Sequence, residues 1–145
     1  MSATLAELRR VLADTAFAAT YDFRVVSAAD GECTLEVPFR PSFERPGGVV
    51  SGPVFMAAAD AAMWLAILAR LGAEDRSVTV AMNTAFLAAA RQEGFRCTAH
   101  VLRWGRRLIY GTAQCVAGED RLLTHHTMTY LRAGTSASAG EPPAG

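Results

Sequence analysis

The chain has 145 residues, 51% of them hydrophobic and 19% charged, which is the length and composition of one globular domain. Its 14 basic residues, all arginine, balance 14 acidic residues, so no net field attracts nucleic acid or an anionic membrane surface. The absence of lysine from the sequence excludes Schiff-base chemistry and a P-loop lysine. Three widely spaced cysteines without a C-x-x-C pair predict reduced thiols in the core of a cytoplasmic protein.

The first third of the chain predicts a helix, a hairpin and a loop. Apolar residues at helical spacing predict an amphipathic helix within residues 2–19. Residues 23–28 and 32–39 flank Ala29-Asp30-Gly31, and the apolar residues at 33, 35, 37 and 39 alternate with other residues, so a β-hairpin is predicted. Residues 40–51 contain two prolines and a glycine pair, so we expect a loop there.

The apolar stretch 53–71 predicts a long helix. Its length would suit a membrane span, but Asp60 in its middle would be expensive in lipid, so a buried helix of a soluble protein is the better interpretation. Gly52 and Pro53 suit the N-cap and the first helical position, and Gly72 suits the C-terminal stop.

Four strands are predicted after this helix, over residues 77–87, 95–104, 108–116 and 121–131, and the short turns between them favour an antiparallel meander. The order of elements predicts an α+β fold in which an antiparallel sheet wraps around one long central helix, with a short N-terminal helix in addition. We assign residues 1–132 to a single domain. Residues 133–145, rich in Ser, Ala, Gly and Pro, are predicted to be a disordered C-terminal tail.

Asp60 is the most informative single residue. Its helical neighbours at i±3 and i±4 are two methionines, an alanine and a tryptophan, and none of these can pair with a carboxylate. Burying an unpaired carboxylate costs several kcal/mol or raises its pKa. We therefore expect Asp60 either to face a solvent pocket for function or to be satisfied by a distant arginine or backbone amide.

Gly52 is the second candidate, because a helix N-terminus presents free N–H groups that can bind an oxyanion, although a Gly-Pro pair can also be simple capping. Gly52 and Asp60 are eight residues apart, about 12 Å along a helix, so one carbonyl cannot touch both within one chain. Two such helices packed antiparallel about a two-fold axis would bring Gly52 of one chain near Asp60 of the other. If the pair is catalytic, the protein must be at least a dimer.

Other side chains give weaker signals. His125 and His126 are consecutive on a strand and face opposite sides, so they cannot ligate one metal ion together, and we expect no metal site. Ser51 lacks the glycine pattern of a nucleophile elbow. Three arginines surround the turn at Gly105 and form either a grip for an anionic tail or a solvated hairpin tip; they are Arg103, Arg106 and Arg107.

Five segments and their spacing carry a family resemblance: residues 47–53 (GGVVSGP), 59–61 (ADA), 78–87 (VTVAMNTAFL), 105–107 (GRR) and 123–130 (LTHHTMTY). Together they resemble the hotdog-fold thioesterases of the phenylacetate-pathway (PaaI-like) type, over residues 20–132. Gly52 and Asp60 keep that family's spacing. Ser51 and Pro53 replace the family's histidine and second glycine, and Ala85 replaces its second asparagine on the strand after the helix.

The resemblance implies an acyl-CoA thioesterase that releases a carboxylic acid and free coenzyme A without a cofactor. It implies that the Gly52 N–H polarises the thioester carbonyl, that Asp60 of the partner subunit attacks it or activates a water, and that Asn83 supports the site. We expect a homodimer at least, with a homotetramer as a dimer of dimers, and the balanced charge predicts neither nucleic acid nor a membrane as a partner.

We predict that six further residues contact the substrate: Ser51, Met56, Met63, Trp64, Arg106 and Arg107. Among these, Met56, Met63 and Trp64 would border an apolar acyl pocket, whereas we interpret Phe86 of the next strand as core. The replacements at positions 51 and 53 leave a second hypothesis open, a non-catalytic acyl-CoA-binding or regulatory module on the same fold.

Overall fold

The computed structural model describes residues 2–133. The helices are α1 (Leu5–Ala13), α2 (Ala18–Tyr21) and α3 (Gly52–Leu71), and a 3-10 turn covers Pro41–Phe43. The strands are β1 (Arg24–Ala29), β2 (Glu32–Val37), β3 (Glu44–Arg45), β4 (Val49–Val50), β5 (Val78–Phe86), β6 (Phe95–Trp104), β7 (Leu108–Ala117) and β8 (Arg121–Leu131). Six strands form one antiparallel sheet in the order β1-β2-β6-β7-β8-β5, and β3 pairs with β4.

Helix α3 is the centre of the core. It packs mainly against β2, β6 and β7, and 12 of its 20 residues are buried. Strand β7 has a glycine where the helix comes close, because a Cβ added to Gly111 would lie 2.5 Å from the Met63 side chain. This helix is also long and apolar enough to cross a membrane, but 67% of its apolar window is buried inside the protein, as the core-helix interpretation predicts. The predicted α+β architecture is confirmed.

The ends of α3 differ slightly from the prediction. Ser51 is the N-cap, so Gly52 and Pro53 occupy the first two helical positions instead of the cap and the first position. Proline is well placed there, because the first N–H groups of a helix have no partner inside the helix. The helix stops at Gly72, whose φ of 102° is unfavourable for any residue with a side chain.

The meander prediction is right for β6, β7 and β8 but wrong for β5. Strand β5 pairs with β8 at the far edge of the sheet, and β2 occupies the place beside β6 that the meander would give to β5. Alternation identifies a strand, whereas its neighbours depend on which strands cover the helix.

Three smaller predictions are also corrected. The helix predicted over 2–19 divides into α1 and α2, because α1 ends at its C-cap Asp14. The second hairpin strand ends at Val37, before Pro38, which has no N–H for a ladder. The loop 40–51 contains the 3-10 turn and the β3–β4 pair. Apart from Ala133, the predicted tail lies outside the described residues.

Candidate active site

Asp60 lies on α3 opposite β5 and β8 and is held by two hydroxyl groups. The Thr79 hydroxyl donates to Asp60 Oδ1 at 2.6 Å. The Tyr130 hydroxyl lies 2.5 Å from the same oxygen and 2.9 Å from the Asp60 backbone carbonyl. Thr79 and Tyr130 are register partners on adjacent strands, so their side chains share the face of the sheet that points to the helix. Two hydroxyls therefore hold one oxygen of the carboxylate, and within residues 2–133 no arginine forms an ion pair with it.

Tyr130 is fixed in its protonated form. Its burial, followed by the negative charge of Asp60 and the hydrogen bond to it, raises the pKa of the Tyr130 phenol well above its usual range. A phenol that keeps its proton donates a hydrogen bond to the carboxylate at any physiological pH. Among the described residues, Asp60 Oδ2 has no hydrogen-bond partner, which leaves this oxygen available for chemistry.

A cavity of about 580 Å³ adjoins Asp60. Its walls are mostly apolar or aromatic, and Asp60 is the one residue among them that is charged at neutral pH. They are Thr15, Phe17, Tyr21, Ala57, Asp60, Ala61, Trp64, Ser77, Val78, Thr79 and Tyr130. A carboxylate with one free oxygen beside an apolar cavity can act as a nucleophile or a general base towards a bound ester or thioester.

Gly52 lies at a different cavity, of about 520 Å³, at the N-terminal end of α3. Its lining is Arg45, Val49, Val50, Gly52, Phe55 and the segment 86–89. The Phe86 ring lies over the glycine, 3.1 Å from the place where a Cβ would be. Among the backbone bonds of residues 2–133, the Gly52 N–H makes none, so it remains a free donor at the positive end of the helix.

In the part of the chain that the structure describes, no residue lines both cavities. One chain therefore does not bring Gly52 and Asp60 to a single carbonyl, as their spacing along the helix predicts.

Comparison with known proteins adds a family to this geometry. Residues 47–124 match the model of the thioesterase superfamily, and this range is more than half of the chain and includes both Gly52 and Asp60. The chain belongs to the thioesterase superfamily. Its sheet around one long helix is that family's hotdog fold, and its general activity is the hydrolysis of thioester or ester bonds.

Three relatives illustrate the match. The protein Ta0293 of Thermoplasma acidophilum, named as a candidate esterase, is 24% identical over 124 residues, which are 86% of this chain and 93% of that protein. The structure of a thioesterase family protein from Silicibacter pomeroyi is 26% identical, with a TM-score of 0.80 over 87% of this chain and 95% of that chain. A hypothetical thioesterase protein from Streptococcus pneumoniae, solved with coenzyme A, shares the fold at 15% identity, with a TM-score of 0.74 over 88% of this chain and 97% of that chain.

The other residues that we predicted as part of a thioesterase site lie in several places. Trp64 lines the cavity of Asp60, as an acyl contact would. Met63 is buried in the core, and Met56 is exposed and lines neither of the two cavities. Asn83 pairs with Thr127, so it lies on the face of β5 that points away from α3 and does not share the face of Thr79.

Ser51, Arg106 and Arg107 line neither of the two cavities. Ser51 caps α3 without a side-chain hydrogen bond. Arg106 and Arg107 are exposed on the turn between β6 and β7, which Arg132 holds by donating its N–H to the Arg107 carbonyl at 2.7 Å. Two sheet pairings connect this turn to the cavity of Asp60, because Leu108 pairs with Leu131 and Leu131 pairs with Val78. Two strand spacings are about 10 Å.

The histidines divide as predicted. His126 is fully buried between the hydroxyls of Thr84 and Thr124, each at 2.8 Å from a ring nitrogen, whereas His125 lies on the opposite face. In residues 2–133, no group of three His, Cys, Asp or Glu side chains is arranged to hold a metal ion.

The structure contradicts the interpretation of Phe86 as core, and it adds two partners of Asp60, Thr79 and Tyr130, that the sequence analysis does not predict. Phe86 is 56% exposed and lies over Gly52, so its assignment to the core is wrong. Thr79 and Tyr130 were not recognised as partners of Asp60. A signal for Tyr130 exists in the sequence, because its place in the buried alternation after His126 and Met128 requires a partner for its hydroxyl.

Proposed function

We propose that this member of the thioesterase superfamily is a cytoplasmic acyl-CoA thioesterase of the PaaI-like type. It would hydrolyse an acyl-CoA to a carboxylic acid and free coenzyme A without a cofactor. The observation that carries the proposal is the Asp60 carboxylate, oriented by two hydroxyls at the wall of an apolar cavity. An acyl chain suits that cavity, and a carboxylate suits the reaction.

Two routes fit this geometry. As a general base, Asp60 takes a proton from water while the water oxygen adds to the thioester carbon; the carbon–sulfur bond then breaks and the thiolate of coenzyme A recovers the proton. As a nucleophile, Asp60 displaces the thiolate to form an anhydride. Water then cleaves the anhydride to the acid and the free Asp60 carboxylate, and the second proton of that water goes to the thiolate of coenzyme A. In either route, negative charge develops on the carbonyl oxygen and needs a hydrogen-bond donor.

Gly52 of a partner subunit is our proposed donor, and β5 is the proposed contact between subunits. This strand is nine residues long and lies at the edge of the sheet, where Val78, Val80, Phe86 and Leu87 are exposed. Two β5 strands paired antiparallel about a two-fold axis near Met82 would set Thr79 of one chain against Phe86 of the other. Because Thr79 contacts Asp60 and Phe86 covers Gly52, this pairing joins the two cavities. We propose that such dimers pair further into a tetramer.

The nucleotide end of coenzyme A would bind at the arginine turn. Arg106 and Arg107 present two exposed guanidinium groups about 10 Å along the sheet from the wall of the Asp60 cavity. Guanidinium groups bind phosphates well, and the Streptococcus pneumoniae protein of the same fold was solved with coenzyme A.

A panel of short, medium and aromatic acyl-CoAs tests the proposal, with the released thiol measured by a chromogenic reagent. We expect thiol release by the wild-type protein for at least one acyl group. Absence of release across the panel would overturn the assignment, and tight binding of an intact acyl-CoA without turnover would indicate the binding or regulatory module instead.

A further inference from the structure

Ser77 carries an unused hydroxyl at the wall of the Asp60 cavity. It directly precedes β5 and is only 7% exposed. Its backbone N–H donates to Asp75 Oδ2 at 2.9 Å, but among the described residues its buried Oγ has no hydrogen-bond partner. A buried hydroxyl without a partner destabilises a fold, so its position beside a cavity points to a ligand.

Three of the four other hydroxyls that line this cavity have partners, and the fourth, on the partly buried Tyr21, has none among the described residues. Thr15 donates to the Leu12 carbonyl at 2.7 Å, and Thr79 and Tyr130 bind Asp60. Ser77 therefore differs from these three residues in having hydrogen-bonding capacity to offer. A serine hydroxyl both donates and accepts, and its three staggered χ1 positions let it turn towards a ligand without a change in the backbone.

The rest of the cavity limits what this ligand group can be. Phe17, Tyr21 and Trp64 give it a broad aromatic wall that suits an apolar body. Among residues 2–133, no cationic side chain lines the cavity to pair with a second carboxylate, and Asp60 would repel one. A cationic group would pair with Asp60 and take its charge away from the reaction. An uncharged polar group is therefore the ligand group that suits the Ser77 hydroxyl.

We propose that Ser77 is a specificity-determining residue that binds an uncharged oxygen substituent, a hydroxyl or keto group, on the acyl chain. This inference rests on the proposed thioesterase function and names the class of acyl group for that same site. Ser77 is two residues before Thr79, about 7 Å along an extended chain, and Thr79 contacts the reacting carboxylate. The substituent would therefore lie towards the distal end of a medium-length acyl chain.

Three CoA esters of equal length test this selectivity: hexanoyl-CoA, 6-hydroxyhexanoyl-CoA and adipoyl-CoA, which differ only in the terminal group. For wild type we expect kcat/KM for the hydroxylated ester to exceed that for hexanoyl-CoA by about 3- to 10-fold, the effect of one neutral hydrogen bond. Adipoyl-CoA should be the poorest substrate. Ser77→Ala should lower kcat/KM for 6-hydroxyhexanoyl-CoA to the hexanoyl value and leave hexanoyl-CoA unchanged. Ser42→Ala, in the exposed 3-10 turn, is the matched control and should change neither.

The outcomes separate this inference from the proposed function. Hydrolysis of the hexanoyl and hydroxyhexanoyl esters at equal efficiency, or an equal loss for both in Ser77→Ala, overturns the role of Ser77 and leaves the thioesterase standing. Hydrolysis of other acyl-CoAs, but of none of these three esters, would also overturn the role of Ser77 and leave the thioesterase function standing. Absence of hydrolysis for any acyl-CoA overturns both. Ser77→Ala should also keep or raise the melting temperature, and a fall of several degrees would show a structural partner for the hydroxyl instead.

Discussion

The two edge strands of the sheet, β1 and β5, share a bulge but differ in length and in what covers their outer edge. Both β1 and β5 contain a bulge at a valine, Val26 and Val80, and each of these valines is 51% exposed. Strand β1 has six residues and lies beside α1, whose Arg9 guanidinium donates to the Val25 carbonyl at 2.9 Å. Strand β5 has nine residues, and no other described strand pairs with its outer edge.

An open edge strand is a template for pairing, and natural proteins usually cover it or shorten it. The β1 edge is shortened and partly capped by an arginine, whereas the β5 edge is long and keeps apolar side chains in contact with solvent. It also carries Thr79 near one end and Phe86 at the other, the two residues that contact Asp60 and Gly52. This difference between the edges supports our proposal that β5 is kept open because a second subunit completes the site there.

The largest expected effect comes from the carboxylate that β5 holds. Asp60→Asn preserves the shape of the side chain and removes its charge, so we expect kcat to fall by about two to four orders of magnitude. Thiol release from the best acyl-CoA of the panel measures this loss. The melting temperature should hold or rise, because an amide is cheaper to bury than a carboxylate.

Asp30→Asn is the matched control at the other edge. Asp30 lies on the β1–β2 turn and forms an exposed ion pair with Arg70, which contributes little to stability. Its substitution should leave kcat unchanged. Full turnover by a folded Asp60→Asn protein would remove Asp60 from the mechanism, and unfolding of that variant would show a structural carboxylate.

The second-largest expected effect comes from adding the same charge to each of the two edge strands. Val80→Glu would bury one carboxylate in each half of the proposed β5–β5 interface, so we expect a monomer whose kcat/KM is lower by about 10²- to 10³-fold, the loss of one oxyanion donor. Val26→Glu adds the same charge at an equally exposed valine of β1 and should change neither mass nor activity. Analytical ultracentrifugation and thiol release measure both properties. A Val80→Glu protein that stays dimeric would place the interface elsewhere.

Mixed dimers sharpen this comparison. Gly52→Pro removes the proposed donor. The backbone fits it, because proline suits the first helical position and Ser51 has the extended φ of −72° and ψ of 147° that precede proline, and the exposed Phe86 ring, 3.1 Å from the added Cβ, must shift slightly to make room. Each variant alone, Asp60→Asn or Gly52→Pro, should be inactive. A dimer with one subunit of each has one intact site and should recover about half of the wild-type rate. A mixed dimer without recovery would place both groups in one subunit's site.

Local patterns predicted the parts of the molecule that depend on local chemistry. The β6 and β8 ranges agree with the structure at both ends, and α3 begins one residue before the predicted stretch. Asp60 and Gly52 could be singled out because a carboxylate in an apolar helix and a glycine at a helix start are each visible within a few residues.

The missed features depend on which strands are neighbours. Thr79 and Tyr130 meet at Asp60 only because β5 crosses to pair with β8, and alternation carries no information about that crossing. Phe86 is a third residue whose surroundings depend on this crossing. At an open edge it remains exposed, and the edge position follows from the same crossing.

The smallest effect concerns the two hydroxyls that orient the carboxylate. Thr79→Val, on the open edge, and Tyr130→Phe, on the covered strand β8, each remove one hydrogen bond to Asp60, and the remaining hydroxyl limits the fall in kcat to about tenfold. The Tyr130 pKa is raised, so its phenol keeps its proton above pH 10, the ordinary value for tyrosine. The kcat of wild type should therefore show no decline from this group as the pH rises to 10, and Tyr130→Phe should leave the shape of the profile unchanged while lowering it. A decline near pH 10 that is present in wild type and absent from Tyr130→Phe would show that the phenol ionises there, and the raised pKa would be contradicted.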